Sequence, residues 1–193
     1  MSNPVLDAIR SRRIARNLTE RPVERAVVEQ VLEAARWSPN AGNRRLQRFV
    51  AIDDPLALRL VRMVAPGMFQ RPTAAILVCI DRDRVASFGI RTSVKGLSVD
   101  VGTAAQTMLL AAHSLGLGSG IVTSFSQAAV SAVLNLPARL SPELLVCLGY
   151  AAPAQPLAMR ARTPVTWQSL TDWAPYPGAG APRGDSGERQ PKR

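Results

Sequence analysis

Hydrophobic positions along the chain follow two patterns, and each predicts a different kind of element. Apolar residues spaced three and four apart predict helices over about residues 4–13, 27–37, 55–65, 97–115 and 127–134. Continuous apolar runs predict buried strands at residues 74–80 and 144–150, and shorter strands at 49–52 and 121–122. With 193 residues, these elements fit a single domain.

The longest predicted helix, residues 97–115, carries apolar side chains on nearly every face. A helix that is apolar all round is buried in a core or an interface. Since this domain is small, burial on all sides favours contact with a partner subunit. Gly116-Leu117-Gly118-Ser119-Gly120 ends the helix before a short strand. These glycines run from helix to strand, so they are not a strand-to-helix dinucleotide fingerprint, and no P-loop sequence is present.

The charge adds a basic surface to this picture. The formal net charge is +10, and 22 of the 24 basic residues are arginines because Lys95 and Lys192 are the only lysines. The arginines are scattered, and aromatic residues make up only 5% of the chain. This combination argues against a nucleic-acid function and favours a few arginines that face one small phosphorylated ligand.

Cysteine and histidine usage limits the possible chemistry. Cys79 and Cys147 lie inside apolar runs, which predicts buried free thiols and argues against a disulfide framework or a metal site. His113 is the only histidine and falls in the long helix. A serine hydrolase that uses His113 is disfavoured because no G-x-S-x-G elbow is present.

The two ends of the chain differ from the middle. The N-terminus has no signal-peptide pattern and no apolar stretch is long enough to span a membrane, so we expect a cytoplasmic protein without membrane contact. From Pro175 onward, proline, glycine and charged residues dominate. This composition predicts a disordered tail over 175–193 after an ordered domain over 1–174.

Three segments could carry chemistry, although each alone is also typical of a solvated surface. Arg12, Arg13 and Arg16 follow the first helix, and guanidinium groups of this kind suit phosphate oxygens. The loop 38–43 offers small side chains, amide groups and backbone N–H donors to a flat heterocycle. Arg160 and Arg162 form a second basic pair after the last strand.

Taken together, these segments resemble the nitroreductase family. The resemblance rests on the N-terminal arginines, the Pro39-Asn40-Ala41-Gly42-Asn43 loop after Glu33-Ala34-Ala35, residues 110–118 and the late Arg-x-Arg, and covers about residues 5–166. It implies an α+β fold with a mainly antiparallel sheet flanked by helices. It also implies an intertwined homodimer with two FMN molecules at the interface, and the helix 97–115 within that interface.

The resemblance assigns the cofactor-binding residues to both subunits. Arg12, Arg13 and Arg16 would contact the phosphate, ribityl and pyrimidine side of FMN, and Arg160 and Arg162 would close on the phosphate. Thr123 and Ser124 would line the ring near N5. The partner subunit would contribute the loop residues Pro39, Asn40, Ala41 and Asn43. No residue is assigned an acid–base role and no metal is expected.

The implied activity is hydride transfer from NADH or NADPH, through the flavin N5, to nitro, quinone or similar acceptors. Arg16 would stabilise the reduced ring. Two alternatives stay open. A segment around Ala65-Pro66-Gly67 and Cys79-Ile80-Asp81-Arg82 is similar to cyclic dipeptide oxidases, which send electrons to oxygen with a small partner protein. The other alternative is a non-enzymatic flavin or polyanion binder.

The chain departs from the family pattern at three places. Ile14 stands where many relatives have serine, so the phosphate would depend more on guanidinium groups. Arg45-Leu46-Gln47 replaces a Gln-Pro-Trp motif and places Arg44, Arg45 and Arg48 near the substrate mouth. The segment between the third helix and the strand 74–80 is short, which predicts a pocket without a lid.

Overall fold

A four-stranded antiparallel sheet with the order β1-β2-β4-β3 organises the chain. The computed structural model describes residues 3–91, 95–153 and 165–174. The strands are β1 (Gln47–Ile52), β2 (Ala74–Asp81), β3 (Gly118–Val122) and β4 (Leu140–Gly149). The helices are α1 (Pro4–Ser11), α2 (Arg25–Arg36), α3 (Pro55–Met63), α4 (Arg82–Ser87), α5 (Lys95–Ser114) and α6 (Gln127–Val133). The predicted α+β class with a mainly antiparallel sheet is confirmed.

The chain divides into two compact units, residues 1–154 and 155–193. The first unit contains the sheet and all six α-helices. In the second unit, the described residues 165–174 contain a short 3-10 turn, Trp167–Leu170. The domain boundary that we expect after residue 174 stays a prediction, and the tail 175–193 lies outside the described residues.

The continuous apolar run of β2 is explained by a hydrophobic core on each face of the sheet. Alternate side chains of a strand point to opposite faces. Ile76 and Val78 pack in the core formed with α2 and α5, whereas Leu77 and Cys79 pack in the core that includes residues of α3 and α6. All eight residues of β2 are buried, so the prediction of a buried strand is confirmed.

Helix α5 is buried along one side only in the single chain, so the predicted burial of its other side against a partner subunit stays a prediction. Val101, Ala105 and Met108 face the sheet and α2 and are buried. Val99 is 61% exposed, and Gly102 and Gln106 are exposed as well. One sheet and one helix cannot surround a rod-like helix, so the outer stripe of α5 has no cover within the chain.

Helix α1 also has an uncovered apolar face. The Asn3 side chain accepts from the N–H groups of Val5 and Leu6 and starts the helix. The helix ends at Ser11, two residues earlier than predicted, because the backbone of Arg12 leaves helical geometry with ψ 127°. Val5, Leu6 and Ile9 are exposed and pack into neither core of the chain.

Strand β3 begins at Gly118, three residues before the predicted start, so Gly118 and Gly120 are strand residues. The segment 14–18 runs beside this strand, with Ile14 bridged to Ser119. A Cβ on Gly118 would lie 2.7 Å from the Ala15 Cβ, which is too close for real atoms. The missing side chains of Gly118 and Gly120 therefore allow the segment 14–18 to pack directly on β3. These glycines belong to a strand and do not form a phosphate-binding loop.

The other differences between the predicted and the observed helices and strands are small. The pattern missed the short helix α4, whose N-terminus is capped by the Asp81 side chain, because six residues are too few for a periodicity to show. Strand β4 starts at Leu140, four residues earlier than predicted. Among the described residues, no helix combines the length and the apolar character needed to cross a membrane.

Candidate functional site

Residues 11–19 form an arm that lies against β3 and holds three arginines at the start of the strand. The Ala15 N–H donates to the Ser119 carbonyl at 3.0 Å, and the Thr19 N–H donates to the Tyr150 carbonyl at 2.8 Å. Leu18 packs against Gly149. A Cβ added to Gly149 would lie 3.0 Å from a Leu18 methyl carbon, so this close contact needs glycine. Backbone hydrogen bonds and glycine contacts therefore fix the position of the arm.

The three guanidinium groups of the arm differ in their partners. Arg12 Nη1 is shielded from solvent and has no hydrogen-bond acceptor among the described residues. Arg16 is exposed and likewise lacks a hydrogen bond or an ion pair there. Arg13 Nη1 instead donates to the carbonyl groups of Arg10 and Arg12, which close the end of α1. Arg12 and Arg16 thus differ from Arg13 in that no described residue accepts a hydrogen bond from Arg12 Nη1 or from the Arg16 guanidinium group.

Ile14 lies between these arginines and offers no hydroxyl group. Its side chain is 55% exposed, with one methyl group beside Gly120. The structure thus places an apolar side chain between the arginines of the arm, so an anion bound here would depend on the guanidinium groups.

Thr123 and Ser124 follow the other end of β3. Thr123 is exposed and lines a cavity of about 520 Å³ together with Leu97, Val101 and Gly102 of α5. The Ser124 carbonyl accepts from the Gly67 N–H at 3.0 Å. Four residues separate Ser119 from Thr123, which corresponds to about 13 Å along a strand. The arm and the Thr123 cavity thus lie at the two ends of an elongated surface along β3.

The short segment between α3 and β2 packs against the loop after β3. Ser124 Cβ would lie 2.9 Å from a Cβ on Gly67, and the Ser126 N–H donates to the Val64 carbonyl at 3.1 Å. The absence of a long insertion agrees with the expectation of a pocket without a lid, which stays a prediction.

The loop 38–43 is tied to the N-terminal half of α5. The Ala41 N–H donates to Asp100 Oδ1 at 3.0 Å, and Thr103 Oγ1 donates to the Pro39 carbonyl at 2.9 Å. Gly42 and Asn43 both adopt positive φ, at 62° and 53°. Glycine and asparagine adopt this left-handed geometry more readily than other residues, so they allow the chain to turn tightly here.

The exposed atoms of this loop remain available to a ligand or a second chain. Pro39, Ala41 and Asn43 are exposed. Asn40 is half-buried, and its Oδ1 accepts from the Arg45 N–H at 2.9 Å. The Asn40 side chain thus shapes the loop from within, whereas its three neighbours present their outer surfaces.

The arm and the loop lie at opposite ends of α5 in one chain. Ser11 at the start of the arm makes a 2.8 Å hydrogen bond with His113, whereas the loop is held by Asp100. Thirteen residues of helix separate His113 from Asp100, or about 20 Å at 1.5 Å per residue. A single chain therefore does not bring Arg12 and Arg16 together with Asn43 around one small ligand.

The structure does not bring every sequence candidate into this site. Arg160 and Arg162 lie outside the described residues. His113 links α1 to α5 through Ser11, whose hydroxyl also donates to the Asp7 carbonyl at 2.7 Å, an arrangement that connects two helices. Among the described residues, no group of His, Cys, Asp and Glu could hold a metal ion.

The two cysteines are free and buried, as predicted. Burial raises the pKa of Cys79 and of Cys147 from 9.0 to about 12. Glu143 adds to the effect at Cys79, and a hydrogen bond from Gln70 opposes it at Cys147. Because a thiol needs its thiolate form to act as a nucleophile, neither cysteine is suited to catalysis near neutral pH.

An antiparallel sheet flanked by helices, with one long helix covered along one side only, defines an α+β protein. The model of the nitroreductase family matches residues 9–95 and 65–150. The chain therefore belongs to the nitroreductase family, and the predicted class of enzyme, an oxidoreductase, is confirmed with it.

Individual relatives agree with this assignment along most of the chain. A proposed nitroreductase from Desulfovibrio desulfuricans, solved in complex with FMN, is 33% identical and has a TM-score of 0.74, covering 92% of this chain and 100% of its own. A Methanothermobacter thermautotrophicus relative, whose name suggests an NADH dehydrogenase or NAD(P)H nitroreductase, is 30% identical, covering 77% of this chain and 78% of its own. The FMN reductase [NAD(P)H] of Bacillus subtilis is 26% identical, covering 84% of this chain and 71% of its own.

Proposed function

We propose that this protein is an FMN-dependent oxidoreductase that takes electrons from NADH or NADPH and reduces nitro, quinone or similar acceptors. The relative solved with FMN and the relative that bears the name FMN reductase [NAD(P)H] support this cofactor and this donor. The family assignment supports the direction of electron flow from the nicotinamide nucleotide to an acceptor.

The observation that carries the proposal is the shielded guanidinium nitrogen of Arg12. A buried donor without an acceptor is unfavourable by about 1–3 kcal/mol, so such atoms are rare in folded proteins. A phosphate oxygen of FMN would satisfy Arg12 Nη1, and Arg16, in the same arm, would add a second charge. Arg13 Nη1 donates to the carbonyl groups at the end of α1, so Arg13 would contribute its other guanidinium N–H groups to the phosphate. The residues present thus fit the phosphate end of the cofactor.

Arg160 and Arg162 complete this proposed phosphate site. They lie outside the described residues, so their assignment rests on the resemblance of the Arg-x-Arg motif. The replacement of serine by Ile14 strengthens the argument that a second pair of guanidinium groups is needed.

We further propose a homodimer in which the loop 38–43 of the partner subunit completes each site. The 20 Å separation of arm and loop in one chain is the reason, because only a second copy can bring Pro39, Asn40, Ala41 and Asn43 near the arm. The exposed apolar faces of α1 and α5 supply surface for such an interface. Val99, 61% exposed on α5, belongs to this surface.

When bound, FMN would supply the hydride chemistry through its ring. The chain's own residues would bind and orient it. Arg12 and Arg16 would hold the phosphate and ribityl side, with Arg16 placed to stabilise negative charge. Thr123, which lines the 520 Å³ cavity, and the adjacent Ser124 would border the ring, and the hydrogen bond from Gly67 fixes the Ser124 backbone.

The proposal can be tested with the purified full-length protein. We expect a yellow preparation, or a colourless one that binds added FMN, and rapid bleaching of the bound flavin by NADPH or NADH in stopped-flow absorbance. A protein that ignores added FMN would contradict the cofactor. Bound flavin that neither nucleotide reduces would contradict the donor and favour an oxidase of the cyclic-dipeptide type.

The homodimer is tested by light scattering coupled to size-exclusion chromatography. We expect a mass of two chains for the parent protein and a shift toward one chain for Val99→Glu, which places a charge on the uncovered stripe of α5. Glu29→Gln, a change on α2, serves as a control for handling. A monomeric parent protein that still binds FMN would contradict the shared site.

A further inference from the structure

A second group of arginines surrounds a shallow cavity at the end of β2, away from the arm. Arg48, Arg84 and Arg139 line this cavity of about 460 Å³ together with Asp81. Arg44 and Arg45 follow the loop 38–43 and adjoin the cavity through their backbone carbonyls, which accept from Arg84 Nη2 and Arg48 Nη1. We call these five arginines and Asp81 the basic pocket.

Asp81 holds two of the guanidinium groups in place. The carboxylate is 5% exposed, and its Oδ2 accepts from Arg139 Nη1 at 2.8 Å and lies 3.4 Å from Arg48 Nε. Its Oδ1 accepts from the Arg84 N–H at 3.2 Å. The side chains of Arg48 and Arg139 nevertheless remain 36% and 43% exposed. The carboxylate therefore holds both guanidinium groups in place while part of each stays accessible to solvent.

The other arginines are arranged around this pair. Arg84 Nη2 donates to the Arg44 carbonyl at 3.1 Å, and the Arg44 guanidinium lies 5.3 Å from the centre of the Phe88 ring. The Arg45 side chain has no hydrogen bond or ion pair among the described residues. Its backbone carbonyl accepts from Arg48 Nη1 at 2.9 Å, which places the two residues side by side.

Charge and shape together select the class of ligand. Arg48, Arg84 and Arg139 line the cavity with two carboxylates, Asp81 and the exposed Asp83. Arg44 and Arg45 adjoin the cavity through their backbone carbonyls, so the five arginines of the region exceed its two carboxylates by three positive charges. A phosphate monoester carries close to two negative charges and three acceptor oxygens, and guanidinium forks match these oxygens. Among the described residues, no aromatic side chain lines this shallow cavity, so it does not make a base-stacking platform for a nucleic-acid strand.

We propose that the basic pocket binds the 2′-phosphate of NADPH and thereby gives the enzyme a preference for NADPH over NADH. The proposal rests on the proposed function, because it assigns a donor to the same active site. The Arg45 N–H hydrogen-bonds to Asn40, so the pocket begins at the edge of the loop that would contact the flavin. A dinucleotide that lays its nicotinamide on the ring extends far beyond it, and the 2′-phosphate is the one group that NADH lacks.

The test compares the parent protein with the double variant Arg45→Gln/Arg84→Gln. Arg59→Gln is the matched control, because Arg59 is an exposed arginine of α3 without a partner among the described residues. We expect kcat/KM for NADPH to fall at least about tenfold in the double variant, since a hydrogen bond between charged groups is commonly worth that factor. The value for NADH should stay within about twofold, and the control should match the parent.

A binding experiment separates failure of this proposal from failure of the proposed function. Calorimetric titration with 2′,5′-ADP needs neither flavin nor turnover. Binding by the parent and the control, with at least tenfold weaker binding by the double variant, supports the pocket even if no oxidoreductase activity is found. Absence of 2′,5′-ADP binding overturns it even if FMN is bound and reduced.

Two further outcomes also overturn the proposal. The first is equal kcat/KM for NADPH and NADH in the parent protein, which would mean that the phosphate is not recognised. The second is binding of inorganic phosphate or RNA that the double substitution weakens, without any preference for NADPH, which would assign the pocket to another anion.

Discussion

The arm and the basic pocket both present arginines, but the protein holds them in different ways. In the arm, Arg12 and Arg16 have no carboxylate or carbonyl partner among the described residues, and the backbone of residues 14–19 fixes their position against β3. In the basic pocket, the buried carboxylate of Asp81 contacts two guanidinium groups directly. The first arrangement fixes the backbone and leaves the side chains free, whereas the second fixes the side chains.

This difference indicates different tasks. Guanidinium groups without an internal counter-charge gain most from a bound anion, so the arm suits a resident cofactor. Guanidinium groups that already share a carboxylate are oriented in advance but partly neutralised, so they suit a ligand that binds and leaves in each cycle. The following experiments test whether the two regions really separate in this way.

The largest effect is expected for Arg12→Met combined with Arg16→Met. Each substitution removes a charged hydrogen-bond donor from the phosphate, and two such losses correspond to at least about a hundredfold rise in the Kd for FMN. Fluorescence quenching of added FMN measures this change. Arg10→Met, at the exposed end of α1, is the control, and unchanged affinity in the double variant would remove the arm from the site.

Gly118→Val should be the next most damaging change. The nearest atom to a new Cβ would be the Ala15 Cβ at 2.7 Å, so the arm must move off the strand. Overpacking of this kind lowers the free energy of unfolding by about 1–3 kcal/mol, which urea denaturation measures. The milder Gly118→Ala should recover FMN affinity in part when combined with Ala15→Gly. An unchanged affinity of Gly118→Val for FMN would show that FMN binding does not depend on the packing of the arm against β3.

Asp81→Asn sharpens the comparison at the basic pocket. The free energy of unfolding should fall by about 1–2 kcal/mol because charged hydrogen bonds to Arg139 and the α4 cap are weakened. The Kd for FMN should not change. If net charge alone decides the affinity, removing the Asp81 carboxylate should tighten the binding of 2′,5′-ADP. If the orientation of Arg48 and Arg139 by Asp81 matters more, the binding should weaken. We expect weaker binding, and a tighter complex would mean that charge dominates.

The smallest effect is expected for Ser11→Ala. This change removes the hydrogen bond to His113 that joins the start of the arm to α5, and the free energy of unfolding should fall by about 0.5–1 kcal/mol. The Kd for FMN should rise by less than about threefold, because the hydrogen bonds of Ala15 and Thr19 still hold the arm. A loss of FMN affinity as large as that in the Arg12→Met/Arg16→Met variant would indicate that the Ser11–His113 contact positions the arm.

Much of the fold could be predicted from the sequence because its signals are local. The apolar runs of β2 and β4 and the helical spacing of α2 and α3 were found within a few residues of their observed bounds. The glycines at 116–120 were harder to interpret. Their meaning depends on Ala15 and Leu18, which are about a hundred residues away in the chain, and no local pattern connects such positions.

The candidate site was predictable in its residue types but not in its arrangement. The arginines of the arm and the loop 38–43 were identified from their composition and their order. The basic pocket was visible only in part, as Arg44, Arg45 and Arg48, because Arg139 enters through β4 and Asp81 ends the core strand β2. In the sequence, Asp81 is interpreted simply as the end of an apolar strand. Its role as a partner of Arg48 and Arg139 becomes visible only in the folded chain.

The sequence by itself determined the class of this protein, since periodicity, composition and the order of short motifs are properties of the chain. The tertiary structure alone decided which arginines keep their charge free and which share a carboxylate, because that depends on contacts between distant segments. It also decided that the arm and the loop lie about 20 Å apart along α5, at 1.5 Å per helical residue. The pattern of side chains along a helix shows that its faces are apolar, but only packing determines which faces the chain itself covers.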